Sequence, residues 1–352
     1  MLFRSMSSQP QITPKAIHGW KTILKGAWPT IRILLSIALL WKATSGIDWH
    51  ALLESEIKMR PLWFLAALGC MMLAFVCGGY RWGKFMEAVG FPRRIHSYIG
   101  LYFAGGLVNQ GLPSTIGGDS YRAISATHLT SSGKFAEEKK LDEELHRSID
   151  LDHATPKLRL SFAMVLLDRF VGLAGNNLLG GVGLIFGGAI LATWGKNLGY
   201  LVISGMVLAG LLVAFGLIWK PTQTFLQNLL GRFQMSNAIP GIRLAFSWPM
   251  NIVQATFAIC IHFLTILSLL FCLKAYGVDA PIEALMIGLP ALSLLLMLPI
   301  SISGWGLREA TLSSVLALWG VNPSITVLAS ISYGAITVIS VLPGAYFLLK
   351  RK

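Results

Sequence analysis

Apolar runs of about 20 residues recur along this whole chain, and no other feature limits its fold as much. Hydrocarbon offers no water to backbone N–H and C=O groups, so each run must close its hydrogen bonds internally, as a helix does. Hydrophobic residues make up 54% of the 352 and charged residues only 13%, too few for the surface of a soluble domain this large. The chain therefore reads as an all-α polytopic membrane protein with a single integral domain over 29–349.

The net charge of +13 does not point to nucleic acid. Lys and Arg gather in alternate loops, with 21 on one side of the predicted spans and four on the other. Such a bias marks the cytoplasmic face. It predicts six full spans, both termini inside, with a basic arm at 1–28 and a basic tail at 350–352. The arm has no small-residue cleavage site after the first apolar run and does not read as a signal peptide. The spans are expected at about 29–44, Pro61 to Tyr80, Ser161 to Ala192, 198–219, Ile252 to Ala275 and Ser324 to Leu349, the last kinked at Pro343-Gly344. Arg81, Lys84, Arg93 and Arg94 fall in a basic loop on this reading. Residues 131–159 form a charged cytoplasmic insertion that holds seven of the 16 acidic residues.

Two apolar segments break the pattern. Asn109-Gln-Gly-Leu-Pro-Ser-Thr-Ile-Gly-Gly-Asp-Ser-Tyr-Arg122 interrupts the first, and Pro299-Ile-Ser-Ile-Ser-Gly-Trp-Gly-Leu-Arg-Glu309 interrupts the second. Pro113 and Pro299 each remove a backbone donor and disfavour helix just before them. The loop charges make the first segment a hairpin entering from inside and the second a hairpin entering from outside. Counting each hairpin half as a short helix gives eight full spans as the rival description. Opposed, Pro/Gly-broken re-entrant hairpins meeting near the midplane form an inverted-repeat core of the kind found in secondary transporters. Irregular backbone at that depth is tolerated only around a shielded or water-filled cavity, so a site is implied.

Six ionisable residues lie in or beside apolar segments: Asp119, Arg122, Asp168, Arg169, Arg308 and Glu309. A charge at bilayer depth is costly, and the cheapest remedy is pairing. One reading is therefore a set of ion pairs locking helices together. The other makes Arg122, Arg308 and Arg169 a binding set for an anionic headgroup, since guanidinium offers a planar fork to phosphate. Helix starts after the glycine turns would add backbone N–H groups. Asp119, Asp168 and Glu309 would position the arginines or carry a coupling proton. Asn109, Ser114, Thr115, Ser301, Ser303 and Trp305 are candidates to line the cavity. No His/Cys/Asp cluster has metal-ligand spacing, no nucleotide-binding glycine loop is present, and no cofactor is expected. Cys70, Cys77, Cys260 and Cys272 read as small core hydrophobes. His262, alone in mid-span, reads as a helix–helix hydrogen-bond partner.

Three motifs then occur in order: Asn109-x-x-Leu-Pro-Ser-x-x-Gly-Gly-Asp-x-x-Arg122, Asp168-Arg169-x-x-Gly172-Leu173, and Pro299-x-Ser-x-x-Gly-x-Gly-x-Arg308-Glu309. Together they resemble the lysylphosphatidylglycerol synthase transmembrane-region family of flippase-like membrane proteins, over roughly 30–350. The resemblance implies a bacterial or archaeal cell membrane protein that moves or binds anionic phospholipids or polyprenyl-linked lipids. Full-length synthases add a soluble aminoacyl-transfer domain, and this sequence ends at Lys352 without one, so lysine transfer is not expected. The insertion at 131–159 and Trp305 depart from the family's usual pattern. The alternatives are an intramembrane enzyme or accessory subunit acting on lipid-linked substrates, and a structural scaffold. The sequence names no protein partner.

Overall fold

A computed structural model describes residues 30–31, 33–45, 47, 59–111, 116–129, 156–193, 204–205, 207–210, 224, 228, 250–297, 301 and 303–349. The basic arm, most of the 131–159 insertion, most of the fourth span, Pro113, Ser114, Thr115, Pro299 and the basic tail lie outside these residues. The described residues are helical throughout their ordered elements, with no strand. In chain order these are α1 (Ile33–Ser45), α2 (Pro61–Ala88), α3 (Ile95–Gly111), α4 (Ile116–Thr127), α5 (Pro156–Thr193), α6 (Met250–Ala275), α7 (Ile282–Leu296), α8 (Leu307–Ala317), α9 (Pro323–Val341) and α10 (Pro343–Leu349). Four stretches are long and apolar enough to cross a membrane: Pro61–Ala88, Lys157–Gly187, Met250–Ala275 and Pro323–Leu349. The chain is an integral multi-pass membrane protein.

Local chemistry sets the helix ends. Pro61 opens α2 and Pro323 opens α9, where a missing N–H costs nothing. The Asn322 side chain accepts from Ser324 N at 2.9 Å and caps α9. Pro343 separates α9 from α10, as the Pro343-Gly344 signal predicts. One boundary differs. α2 runs on to Ala88, well past Tyr80, and carries Arg81 into the interior at 3% exposure. A hydropathy reading stops at the first charge. Here the charge is neutralised by a carboxylate from another helix, so the helix has no reason to end.

α2 packs along α6 in the middle of the molecule. The two broken segments flank that pair, and each is a hairpin. α3 folds back on α4, with α3 against α2 and α4 against α5; α7 folds back on α8, with α7 against α5 and α8 against α9. Between α3 and α4 the chains nearly touch, because Gly105 faces Gly118 and a Cβ on Gly118 would strike the Gly105 carbonyl oxygen. Each hairpin sits in its own apolar cluster. Trp82, Phe85, Tyr98, Leu101 and Met164 surround the first, and Ile266, Leu273, Leu285, Leu312 and Leu316 surround the second.

The hairpin tips meet. Ser303 Oγ donates to Asn109 O at 3.1 Å and to Gln110 O at 3.4 Å. Ser303 is also the one described non-glycine residue with positive φ, at 49°. A β-carbon is disfavoured in that left-handed region, so strain is stored where the two tips touch.

Candidate functional site

The six predicted charges fall into two groups, and the first gains a member. Arg81 donates to Asp168 Oδ1 through Nε at 3.0 Å and Nη2 at 2.7 Å, and Nη2 also reaches the Asp168 carbonyl at 2.9 Å. Arg122 Nη1 donates to Asp168 Oδ2 at 3.3 Å, and its Nη2 to Asp119 Oδ1 at 2.8 Å. Arg169 closes the series, donating to Asp119 through Nε and Nη2, both at 2.9 Å. The order Arg81, Asp168, Arg122, Asp119, Arg169 alternates in sign across α2, α5 and α4. Three guanidiniums face two carboxylates, which leaves one excess positive charge. The Arg169 side chain at the end of the series is 48% exposed, whereas those of Arg122 and Asp168 are 4% and 2% exposed.

Arg122 is held on its faces as well as its edges. Its guanidinium carbon lies 5.0 Å from the Trp82 ring centroid and 4.6 Å from that of Tyr102. Such cation–π contacts strengthen when water is excluded. Below them, Ser161 Oγ donates to the Ala123 carbonyl at 2.7 Å and fastens α5 to α4.

The second group is local. Arg308 donates to Glu309 Oε1 through Nε at 2.9 Å and Nη2 at 2.7 Å. Ser330 Oγ donates to the same oxygen at 3.1 Å, and Gly306 N donates to Glu309 Oε2 at 2.7 Å. Trp305 covers the Arg308 guanidinium with its centroid 4.5 Å away. On the other side Gly334 leaves the room the guanidinium occupies, since a Cβ there would collide with it. None of these bonds uses Arg308 Nη1.

A cavity of about 320 Å³ opens beside Arg308. Its walls are mostly apolar, from Met71, Ala74, Phe75, Leu289, Leu292 and Leu296, with Tyr102, Asn176, His262, Thr265, Ser293, Ser303, Tyr333 and Thr337 supplying polar groups. Among the expected site residues, Arg308 and Ser303 line it. Arg122 lies behind Tyr102, and no contact joins Arg122 to Arg308 among the described residues. Asn109 caps α4, accepting from Gly118 N at 2.8 Å. Trp305 stacks on Arg308, and the buried Ser301 hydroxyl has no partner among the described residues. Ser114 and Thr115 fall outside those residues.

At each helix start one backbone amide already has a partner. Glu309 already takes the Gly306 amide and the Asn109 side chain takes that of Gly118. His262 of α6 also lines the cavity and lies beside Gly172 of α5, where a Cβ would sit 3.6 Å from its Nε2. Among the described residues no group of three or more His, Cys, Asp or Glu side chains could hold a metal ion.

Sequence reasoning missed Arg81 because it stands at the polar end of an apolar run. It missed Tyr102 and Asn176 because they look like ordinary members of apolar helices. Charge arithmetic gave no signal for Arg81, because Arg122 and Arg169 already balance Asp119 and Asp168.

A family model described as the lysylphosphatidylglycerol synthase TM region matches residues 30–344. No curated protein and no solved structure matches the chain.

Proposed function

The chain belongs to the lysylphosphatidylglycerol synthase TM region family, and we propose that it binds anionic lipids or lipid-linked precursors and moves them between membrane leaflets. The observation that carries this reading is the cavity beside Arg308. Its walls are mostly apolar, and Arg308, the one cation among the described lining residues, keeps Nη1 out of the Glu309 pair. An amphiphile has the matching chemistry, with an oxyanion for the guanidinium and tails for the apolar walls and the surrounding bilayer. Arg122 and Arg169 contribute from behind Tyr102, as part of a network with one excess positive charge that favours an anion nearby.

The same reading gives the two hairpins a common role. They enter from opposite faces as the halves of an inverted repeat, with the site where their tips meet. The termini are then cytoplasmic and the host is a bacterial or archaeal cell membrane. The working membrane domain spans 29–349.

Reconstitution tests this. Vesicles carrying the protein and a fluorescent phosphatidylglycerol are treated with a membrane-impermeant quencher, and the fraction of lipid reaching the outer leaflet is followed in time. The protein is expected to speed that exchange. The pair Arg308→Gln with Glu309→Gln removes the cation without stranding its carboxylate. It should slow exchange about tenfold, the value of one charge-assisted hydrogen bond. Equal rates for the parent and a folded double variant would remove Arg308 from the lipid path.

A further inference from the structure

We propose that the Tyr102 hydroxyl is a second oxyanion contact in this cavity, and that Arg122 acts on the bound anion through it. The proposal rests on the lipid reading above. Tyr102 stands on α3 and lines the cavity together with Arg308, whose Nη1 makes no hydrogen bond among the described residues. Among the described residues no group hydrogen-bonds its hydroxyl. A polar tip in a largely apolar wall is then open to an occupant, and a phenol can donate to an oxyanion.

The other side of the ring explains why this phenol is suited to the task. Arg122 lies against the Tyr102 face at 4.6 Å, and its own Nη1 and Nη2 are committed to Asp168 and Asp119. It does not line the cavity, so it cannot bind the occupant directly. A cation over an aromatic face draws electron density toward itself. The O–H on the ring edge becomes a stronger donor for a negative acceptor. The ring packs closely on α2 in the room that Gly78 leaves: a Cβ there would lie 2.6 Å from the Tyr102 ring and 2.8 Å from its hydroxyl oxygen. The donor is therefore held in position before the anion arrives, which removes an ordering cost from binding. The ligand chemistry shared by both contacts is a phosphate-type oxyanion, whether from a lipid headgroup or from free phosphate.

The full chain in detergent micelles is titrated calorimetrically with short-chain dioctanoylphosphatidylglycerol and, separately, with inorganic phosphate. Tyr102→Phe keeps the ring, its packing and the Arg122 contact. It should weaken lipid binding about tenfold, as loss of a hydrogen bond to a charged group does, and leave the thermal midpoint without ligand unchanged. Arg122→Lys keeps a charge but loses the flat stack. It should weaken binding in the parent and have little further effect in the Tyr102→Phe background, because the two act as one unit. Phosphate binding with the same Tyr102 dependence supports the contact and reassigns its source to the free anion. Parental affinity in Tyr102→Phe overturns the contact, and additive losses overturn the action of Arg122 through it. A parent that binds neither probe overturns the lipid reading itself, and the contact with it.

Discussion

The two hairpins carry similar residues and use them differently. In the first, Asp119 and Arg122 of α4 pair with partners on α5, and through Asp168 with Arg81 on α2. In the second, Arg308 pairs with its own neighbour Glu309, and the nearest outside help is the Ser330 hydroxyl. A long-range network resists separation of helices, since pulling α4 from α5 breaks two Arg–Asp pairings at once, Arg122 with Asp168 and Arg169 with Asp119. A neighbouring pair stays intact when its helix moves, and it leaves Arg308 lining the cavity with Nη1 outside the pair. Similar motifs thus make a brace on one side and a presented cation on the other.

The comparison is most exposed at its acids. Asp168→Ala strands Arg81 in a dry interior and leaves Arg122 with Asp119 alone, and breaking buried pairs in this way costs about 3–5 kcal/mol. Glu309→Ala strands one arginine whose free edge already meets the cavity, where water can solvate it. Unfolding midpoints in micelles should rank Asp168→Ala well below Glu309→Ala, with both below the parent. The reverse order would mean that the local pair is the true brace.

Much of this contrast was readable in the sequence. Pro113 with Gly117-Gly118, and Pro299 with Gly304 and Gly306, announce breaks through backbone chemistry that any environment obeys. The charges at 119, 122, 168, 169, 308 and 309 announce a polar interior because hydrocarbon penalises them wherever they sit. What pairs with what was not readable. Arg81 and Asp168 lie 87 residues apart, and nothing local links them. Tyr102 sits within an apolar run, where an aromatic serves equally as packing, and only the placement of Arg122 on one side and the cavity on the other distinguishes it. The meeting of the tips at Ser303 depends on how two distant hairpins pack, which loop charge counts suggest but periodicity does not encode.

A smaller effect separates the hairpin interfaces. Gly118 abuts the Gly105 carbonyl and the Asn109 side chain, so Gly118→Ala forces α3 and α4 apart. Overpacking of this kind costs about 1–3 kcal/mol. The corresponding second-hairpin glycine, Gly288, would place a Cβ 3.4 Å from Val315 and 3.5 Å from Leu312, which is ordinary contact. Gly288→Ala should therefore be neutral or stabilising, gaining up to about 1 kcal/mol from helix propensity. Opposite signs in the two midpoints would confirm that the braced hairpin is also the tightly packed one. Equal losses would show that both hairpins are equally close.

The smallest effect concerns the contact that joins them. In a bilayer the tails are as apolar as the helix faces, so helices associate through packing and interhelical hydrogen bonds more than through water exclusion. Ser303 supplies such a bond, donating to Asn109 O and Gln110 O, while holding a backbone φ of 49°. Ser303→Ala removes the bond and keeps the strained β-carbon, for a loss of about 0.6 kcal/mol, the average for polar contacts between membrane helices. Ser303→Gly removes the same bond but releases the strain, worth about 1 kcal/mol. The glycine variant should therefore unfold at or above the midpoint of the alanine variant, although both lack the hydroxyl. If alanine and glycine are equally destabilising, the strain has no energetic weight and the bond alone links the tips. If neither lowers the midpoint, the hairpins are held by α2, α5 and α6 independently of one another.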